Sequence, residues 1–136
     1  MVEHLPLEAG GTDISVEVLD HAVAVRPTGE MDIETAPCLR LALSEALSHA
    51  SPSRPVVLDC SRLTFCDSTA LNALLAARRA GQQSGAVIRL AAPAAQLQRL
   101  LEITGALALF PLDRTPPLAG RLAKARPDGL PQQDGP

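Results

Sequence analysis

The chain's 136 residues suffice for one domain plus frayed ends, and 46% apolar residues give it a core without disulfides or metal. A net charge of −3 with scattered basic residues excludes nucleic acid or an anionic membrane as main partner, and the two aromatics, Phe65 and Phe110, argue against base stacking. No basic, apolar leader opens the chain and no stretch reaches membrane-span length, so the expectation is a cytoplasmic protein without a signal peptide or span.

Residues 1–12, ending in Gly10-Gly11, read as a flexible lead-in. Ile14, Val16 and Val18 alternate with polar residues and predict a half-buried strand. Asp20-His21 turns the chain into a second strand, Ala22 to Arg26, ended by Pro27-Thr28-Gly29. Asp32 is placed to cap a helix reaching Leu47, with Pro37 in its first turn and Leu39, Leu43 and Leu47 on one stripe. Ser51-Pro52-Ser53 breaks it. The run Val56-Val57-Leu58 within Pro55 to Cys60 suits a strand buried on both faces. A loop follows, in which alternation points Leu63 and Phe65 inward. A helix is expected from Ser68 to Gln83, a strand from Ala86 to Ala91, a helix from Pro93 to Ile103 closed by Gly105, and a last strand from Leu107 to Leu112. Residues 115–124 read as a marginal helix weakened by Pro116 and Pro117, and the Pro-, Gly- and Gln-rich end as disordered.

The expected organisation is a domain over 13–115 with a tail at 116–136. Its fold class is α/β, a mixed sheet of four to five strands with helices packed on it. Strands separated by helices imply parallel pairing.

Cys38, Cys60 and Cys66 are an odd number without CxxC spacing, and no His lies near them in sequence. They read as free, apolar thiols, with neither disulfide nor metal. No other residues suggest a cofactor.

The stretch Thr64-Phe65-Cys66-Asp67-Ser68-Thr69-Ala70-Leu71 gathers small polar side chains where a helix begins. Two readings stay open from the residues. Asp67 or Ser68 caps the helix and does nothing more. Alternatively, Ser68 accepts a phosphoryl group, because a helix N-terminus favours added negative charge and offers N–H groups to phosphate oxygens. Helical spacing places Leu71 and Leu74 inward beside the Arg78 stem, and Ser68, Asn72 and Arg79 together on another face.

The run VVLDCSRLTFCDSTALNALLAARRAG resembles the STAS domain of sulphate transporters and anti-sigma factor antagonists, most nearly the stand-alone bacterial antagonists. Leu58-Asp59-Cys60-Ser61 and Phe65-Cys66-Asp67-Ser68-Thr69-Ala70-Leu71 stand where that family has a strand end and an F-x-D-S-[ST]-G-L helix start. Gly29-Glu30-Met31-Asp32 is similar to its G-E-[LIV]-D turn. Where the family has Gly the chain has Ala70, which suits a helical position and not one of positive φ.

The resemblance implies that Ser68 is phosphorylated and that the partner is an anti-sigma factor that is also a serine kinase, with ATP and Mg²⁺ held on the kinase side. The unphosphorylated form binds that kinase and releases a sigma factor; the phosphorylated form lets go. Gly29, Glu30, Asp32, Asp67, Ser68, Thr69 and Asn72 form the expected partner surface on a free monomer. The alternative is a STAS-type accessory subunit of a transporter or scaffold complex, without a phosphoswitch. An enzyme is not expected. Ser68 and Asp67 lack a suggestively placed His, a G-x-S-x-G elbow or a phosphate-binding Gly loop, so no catalytic residue is assigned.

Overall fold

Alternating apolar residues drive the first hairpin. In the computed structural model, which describes residues 2–5 and 13–117, Ile14 and Val16 of β2 (Asp13–Val18) are buried on one face. β2 pairs antiparallel with β3 (Val23–Met31), whose Val23 and Val25 face the same way. The chain then crosses through helix α1 (Ala36–His49) to β4 (Val56–Asp59), which lies parallel to β3. After a short β5 (Leu63–Cys66) come α2 (Ser68–Gln83), β6 (Ile88–Ala91), α3 (Ala95–Thr104), a 3₁₀ turn (Leu107–Leu109) and β7 (Leu112–Asp113). With β1 (Val2–Leu5) on the outside, the sheet order is β1-β2-β3-β4-β6-β7, and β5 joins β3 alone. The mixed α/β sheet expected from the sequence is present, with parallel pairing wherever a helix intervenes.

The core lies between the sheet and the helices. Val56 and Leu58 of β4, with Ile88 and Leu90 of β6, meet Leu39 and Leu43 of α1 and Leu71 and Leu74 of α2. Leu97 and Leu101 of α3 close one side, with Phe110. The opposite sheet face carries Ala22, Val57 and Ala91, and polar side chains. Arg26 pairs there with Glu17 and lies 3.6 Å from Asp59, while Arg89 grips Asp113 at 2.7 Å. All four residues of β4 are buried, as its unbroken apolar run requires.

Several local expectations are corrected. The second strand does not stop at Pro27 but runs through it to Met31. Pro27 falls between the β4 pairing, which covers Val23–Val25, and the β5 pairing, which starts at Gly29. Neither ladder calls on Pro27 for an N–H, so proline is tolerated in an interior strand. The segment read as a loop before Ser68 contains β5. There Leu63 and Cys66 are buried while Phe65 is 41% exposed, so Phe65 does not point inward. A register shift between Gly29 and Glu30 breaks the alternation, and Gly29 takes φ +90° at that point.

The first helix starts at Ala36, with Pro37 in its first turn, so Asp32 does not cap it; Thr35 holds the N-cap position without a side-chain capping bond, and the Asp32 carboxylate is spent on the turn ahead of the helix. The last expected strand is displaced. Leu107–Leu109 is a 3₁₀ turn, held in part by Arg78 Nε donating to the Leu109 carbonyl at 3.0 Å, and only Leu112–Asp113 pairs with β6. Within the lead-in, Val2–Leu5 pairs antiparallel with β2, a strand too short to be read from its pattern. Thr115 to Pro117 are not helical, and the remainder of the expected tail lies outside the described residues.

Candidate functional site

Two segments distant in sequence meet at the C-terminal ends of β3 and β5. Glu30 is in register with Phe65, and Met31 with Cys66. The Asp67 N–H donates to the Met31 carbonyl at 3.1 Å. The Gly29-Glu30-Met31-Asp32 turn therefore lies against the start of α2.

Asp67 is the N-cap of α2. Its Oδ1 accepts from the N–H of Thr69 at 2.9 Å and of Ala70 at 3.1 Å, satisfying two of the free donors at the helix start. The first helical residue is Ser68. It is exposed, and its hydroxyl and N–H have no hydrogen-bond partner among the described residues. Asp67 is thus the cap, and Ser68 is left over from capping. Thr69 is half-buried, and Asn72 and Arg79 are exposed on the Ser68 side of the helix. Leu71 and Leu74 face the core, and Arg78 is half-buried next to them, as spacing predicts. Ala70 is fully buried and helical, with no positive φ, so the departure from Gly costs nothing here.

On the neighbouring turn the Asp32 carboxylate accepts from the N–H groups of Glu34 (3.0 Å) and Thr35 (3.2 Å). Thr35, which sequence reasoning passed over, is the buried pin of this turn at 2% exposure. Its hydroxyl accepts from the Asp32 N–H at 2.7 Å and donates to the Glu30 carbonyl at 3.0 Å. Its spacing three residues after Asp32, ahead of an apolar helix, was the available signal. Exposed Ile33 and Phe65 add apolar surface beside the acidic Glu30 and Glu34.

Gln96 of α3 is a second residue the sequence did not flag. Its Oε1 accepts from the Cys66 N–H at 3.0 Å and its Nε2 donates to the Cys66 carbonyl at 2.9 Å.

The family model described as "Mlab, STAS domain" matches residues 14–111. The chain belongs to the STAS-domain family. A solved structure similar to it is an anti-sigma factor antagonist from Mycobacterium paratuberculosis, 29% identical, with a TM-score of 0.66 over 80% of this chain and 92% of that one. The unphosphorylated form of the anti-sigma factor antagonist SpoIIAA is 18% identical, with a TM-score of 0.62 over 74% of this chain and 88% of that one. The phosphorylated form of the Bacillus cell fate determinant SpoIIAA is 19% identical, with a TM-score of 0.56 over 74% and 91%. The two SpoIIAA structures share the fold.

Around this STAS site the thiols are quiet. Cys38, Cys60 and Cys66 are all free. Burial, then Cys66 and Asp59, pushes the Cys60 thiol up to about 12, against an opposing hydrogen bond from Ala91. Burial and then Asp67 push Cys66 up to about 12. Neither supplies a thiolate near neutral pH. Among the described residues no cluster of three or more His, Cys, Asp or Glu is placed to hold a metal, and no helix is long and apolar enough to cross a membrane.

Proposed function

We propose that this chain is an anti-sigma factor antagonist switched by phosphorylation at Ser68. One observation carries the reading: an exposed hydroxyl on the first residue of α2, unbonded among the described residues, beside a cap that Asp67 completes without it. The mycobacterial antagonist at 29% identity supports the same reading. The unphosphorylated protein binds an anti-sigma factor serine kinase in the cytoplasm and frees a sigma factor. The kinase holds ATP and Mg²⁺. The γ-phosphoryl group passes to Ser68 Oγ, the serine proton leaves, and ADP is released. This chain contributes the acceptor and no catalytic residue.

The docking surface comprises Gly29, Glu30, Asp32, Asp67, Ser68, Thr69 and Asn72, with exposed Ile33 and Phe65 as its apolar anchors. A phosphate adds about −1.5 to −2 charges there. The helix dipole tolerates that charge in the free protein, by ~0.3–1 kcal/mol near the surface. Asp67 already occupies the N–H groups of Thr69 and Ala70, so the Ser68 N–H is the one left for a phosphate oxygen. In a docked interface the new charge is crowded by Asp67, Glu30 and Asp32, and like-charge contacts there cost several kcal/mol. The fold survives phosphorylation and the complex does not.

The test is a binding titration of wild type, Ser68→Ala and Ser68→Asp against the co-purified kinase, with mass spectrometry after ATP treatment. Ser68→Ala should bind and resist phosphorylation. Ser68→Asp should bind at least tenfold more weakly, which corresponds to ~1.4 kcal/mol. Equal affinities for all three, or phosphate found only away from residues 68 and 69, would refute the mechanism. The alternative reading is an accessory subunit of a transporter or scaffold complex, with Ser68 left unmodified. Capture of a transporter ATPase in place of a kinase would select it.

A further inference from the structure

We propose that Gln96 is a positioning residue for the Ser68 switch. This rests on Ser68 as the phosphoacceptor. β5 pairs with β3 on one edge only, and its other edge faces the start of α3. The Gln96 side-chain amide fills the place of a missing strand there, taking the Cys66 N–H at 3.0 Å and giving to the Cys66 carbonyl at 2.9 Å. An amide is the one side-chain group that carries a donor and an acceptor in the geometry of a backbone peptide.

The consequence falls on the Cys66–Asp67 peptide. Its oxygen is held by Gln96 Nε2 and its N–H by the Met31 carbonyl at 3.1 Å. With both polar atoms fixed, the plane of that peptide is fixed. Asp67 is then aimed at the N–H groups of Thr69 and Ala70, and its own carbonyl receives the Leu71 N–H at 3.0 Å. Ser68 stands between these bonds with no tether of its own. Its presentation to a partner follows from the Cys66–Asp67 peptide, one peptide removed, and Gln96 is the only side chain among the described residues that bonds that peptide; the Asp67 carbonyl that follows also receives the Cys66 thiol at 3.8 Å. The clamp joins α3 to the switch across 30 residues of sequence. It turns an unpaired strand edge into a rigid mount, which a phosphoacceptor needs for in-line transfer.

Two variants test this in the full-length ¹⁵N-labelled protein. Gln96→Ala removes both bonds. Gln96→Glu as a carboxylate accepts from the Cys66 N–H but cannot donate to its carbonyl; protonated, below its ordinary pKa of about 4.3, it does both. The thiols of Cys60 and Cys66, which line the same crevice, stay protonated throughout. Asp67, the Glu30 and Asp32 carboxylates of the neighbouring turn, and Asp59 beside Cys60 are the other acidic groups around this clamp, so wild type is measured at both pH values.

At pH 7 both variants should show at least tenfold faster amide exchange at Thr69, Ala70 and Leu71, with Cys66 faster in Gln96→Ala alone and Val57 and Leu90 unchanged. In Gln96→Glu that protection should return toward wild type at pH 3.5, and in Gln96→Ala it should not. With the co-purified kinase and ATP, Gln96→Ala should lower kcat/KM for Ser68 phosphorylation at least tenfold. Unchanged protection in the first turn of α2, loss spread equally over Val57 and Leu90, no pH response in Gln96→Glu, or an unchanged phosphorylation rate would each overturn the proposal. Phosphorylation persisting in Ser68→Ala would instead refute the reading beneath it, and the exchange measurements, which need no kinase, decide the clamp separately.

Discussion

The starts of α1 and α2 are built from the same parts and used differently. Each has an aspartate followed closely by a hydroxyl residue, Asp32 with Thr35 and Asp67 with Ser68. The Asp67 carboxylate accepts two N–H groups inside the first turn of α2, whereas that of Asp32 accepts those of Glu34 and Thr35 in the turn just ahead of α1. The hydroxyls part company. That of Thr35 is buried and engaged as both donor and acceptor, binding Glu30 to Asp32. That of Ser68 is exposed and engaged in nothing among the described residues. A group the fold consumes is unavailable for chemistry, and a group the fold leaves over is free to be modified without unfolding the domain. Residue type at a helix start does not distinguish the two cases; burial and bonding do.

The largest expected effect concerns the thiols beside the α2 start. Cys60 and Cys66 are both pushed from 9.0 to about 12, chiefly by burial. The fold holds the neutral thiols, whereas the unfolded chain ionises from about pH 9. Their contribution is complete below pH 9 and is lost as pH rises from 9 toward 12. By pH 10.5 the loss should be on the order of 2 kcal/mol per thiol, read as a falling urea midpoint. Cys60→Ala and Cys66→Ala should each flatten that fall. A midpoint flat from pH 8 to 10.5 in the wild type would show the thiols to be accessible, and the α2 start less packed than described.

Next comes Thr35→Val, which keeps the shape and deletes the hydroxyl. It deletes the hydroxyl that accepts from the Asp32 N–H and donates to the Glu30 carbonyl, at a cost of about 1–3 kcal/mol in urea unfolding. Asp67→Ala removes the α2 cap and should cost about 1 kcal/mol, within the ~0.5–2 kcal/mol range of such caps. Because the Asp67 carboxylate also fixes the turn bearing Ser68, partner affinity should fall with stability. If Asp67→Ala cost more than Thr35→Val, the buried pin would not be the stronger of the two.

Most of this was legible in the residues because the relevant patterns are local. The Ser68–Gln83 helix has a cap, an apolar stripe and a Gly-containing end, and its span matches the expectation. The β4 run and the β2 alternation declare their burial directly. What escaped depended on partners far along the chain. Pro27 reads as a strand end unless it is known that β4 stops short of it and β5 begins beyond it. Phe65 reads as core unless the shift at Gly29 is known. Gln96 is an unremarkable exposed helix residue until β5 is seen to lack a neighbour on that side. The Asp67–Ser68 motif was found, but its division of labour was not. The sequence left either residue as the cap, and only the bonds to Thr69 and Ala70 assign that role to Asp67.

The smallest expected effect sharpens the comparison most. Ser68→Ala should change the unfolding free energy by less than about 0.5 kcal/mol, the usual range for a surface substitution that disturbs no cap or core contact. No hydrogen bond is lost, because the hydroxyl makes none among the described residues. No cap is lost, because Asp67 supplies it. Alanine is the better helix former, and that small gain offsets what little solvation the hydroxyl contributes. Urea unfolding of Ser68→Ala alongside Thr35→Val, at equal m-values, measures the contrast directly. A loss above 1 kcal/mol in Ser68→Ala would place the two hydroxyls in the same class. Ser68 would then be a structural residue, and phosphorylation there would have to be coupled to local unfolding of α2 rather than to surface charge.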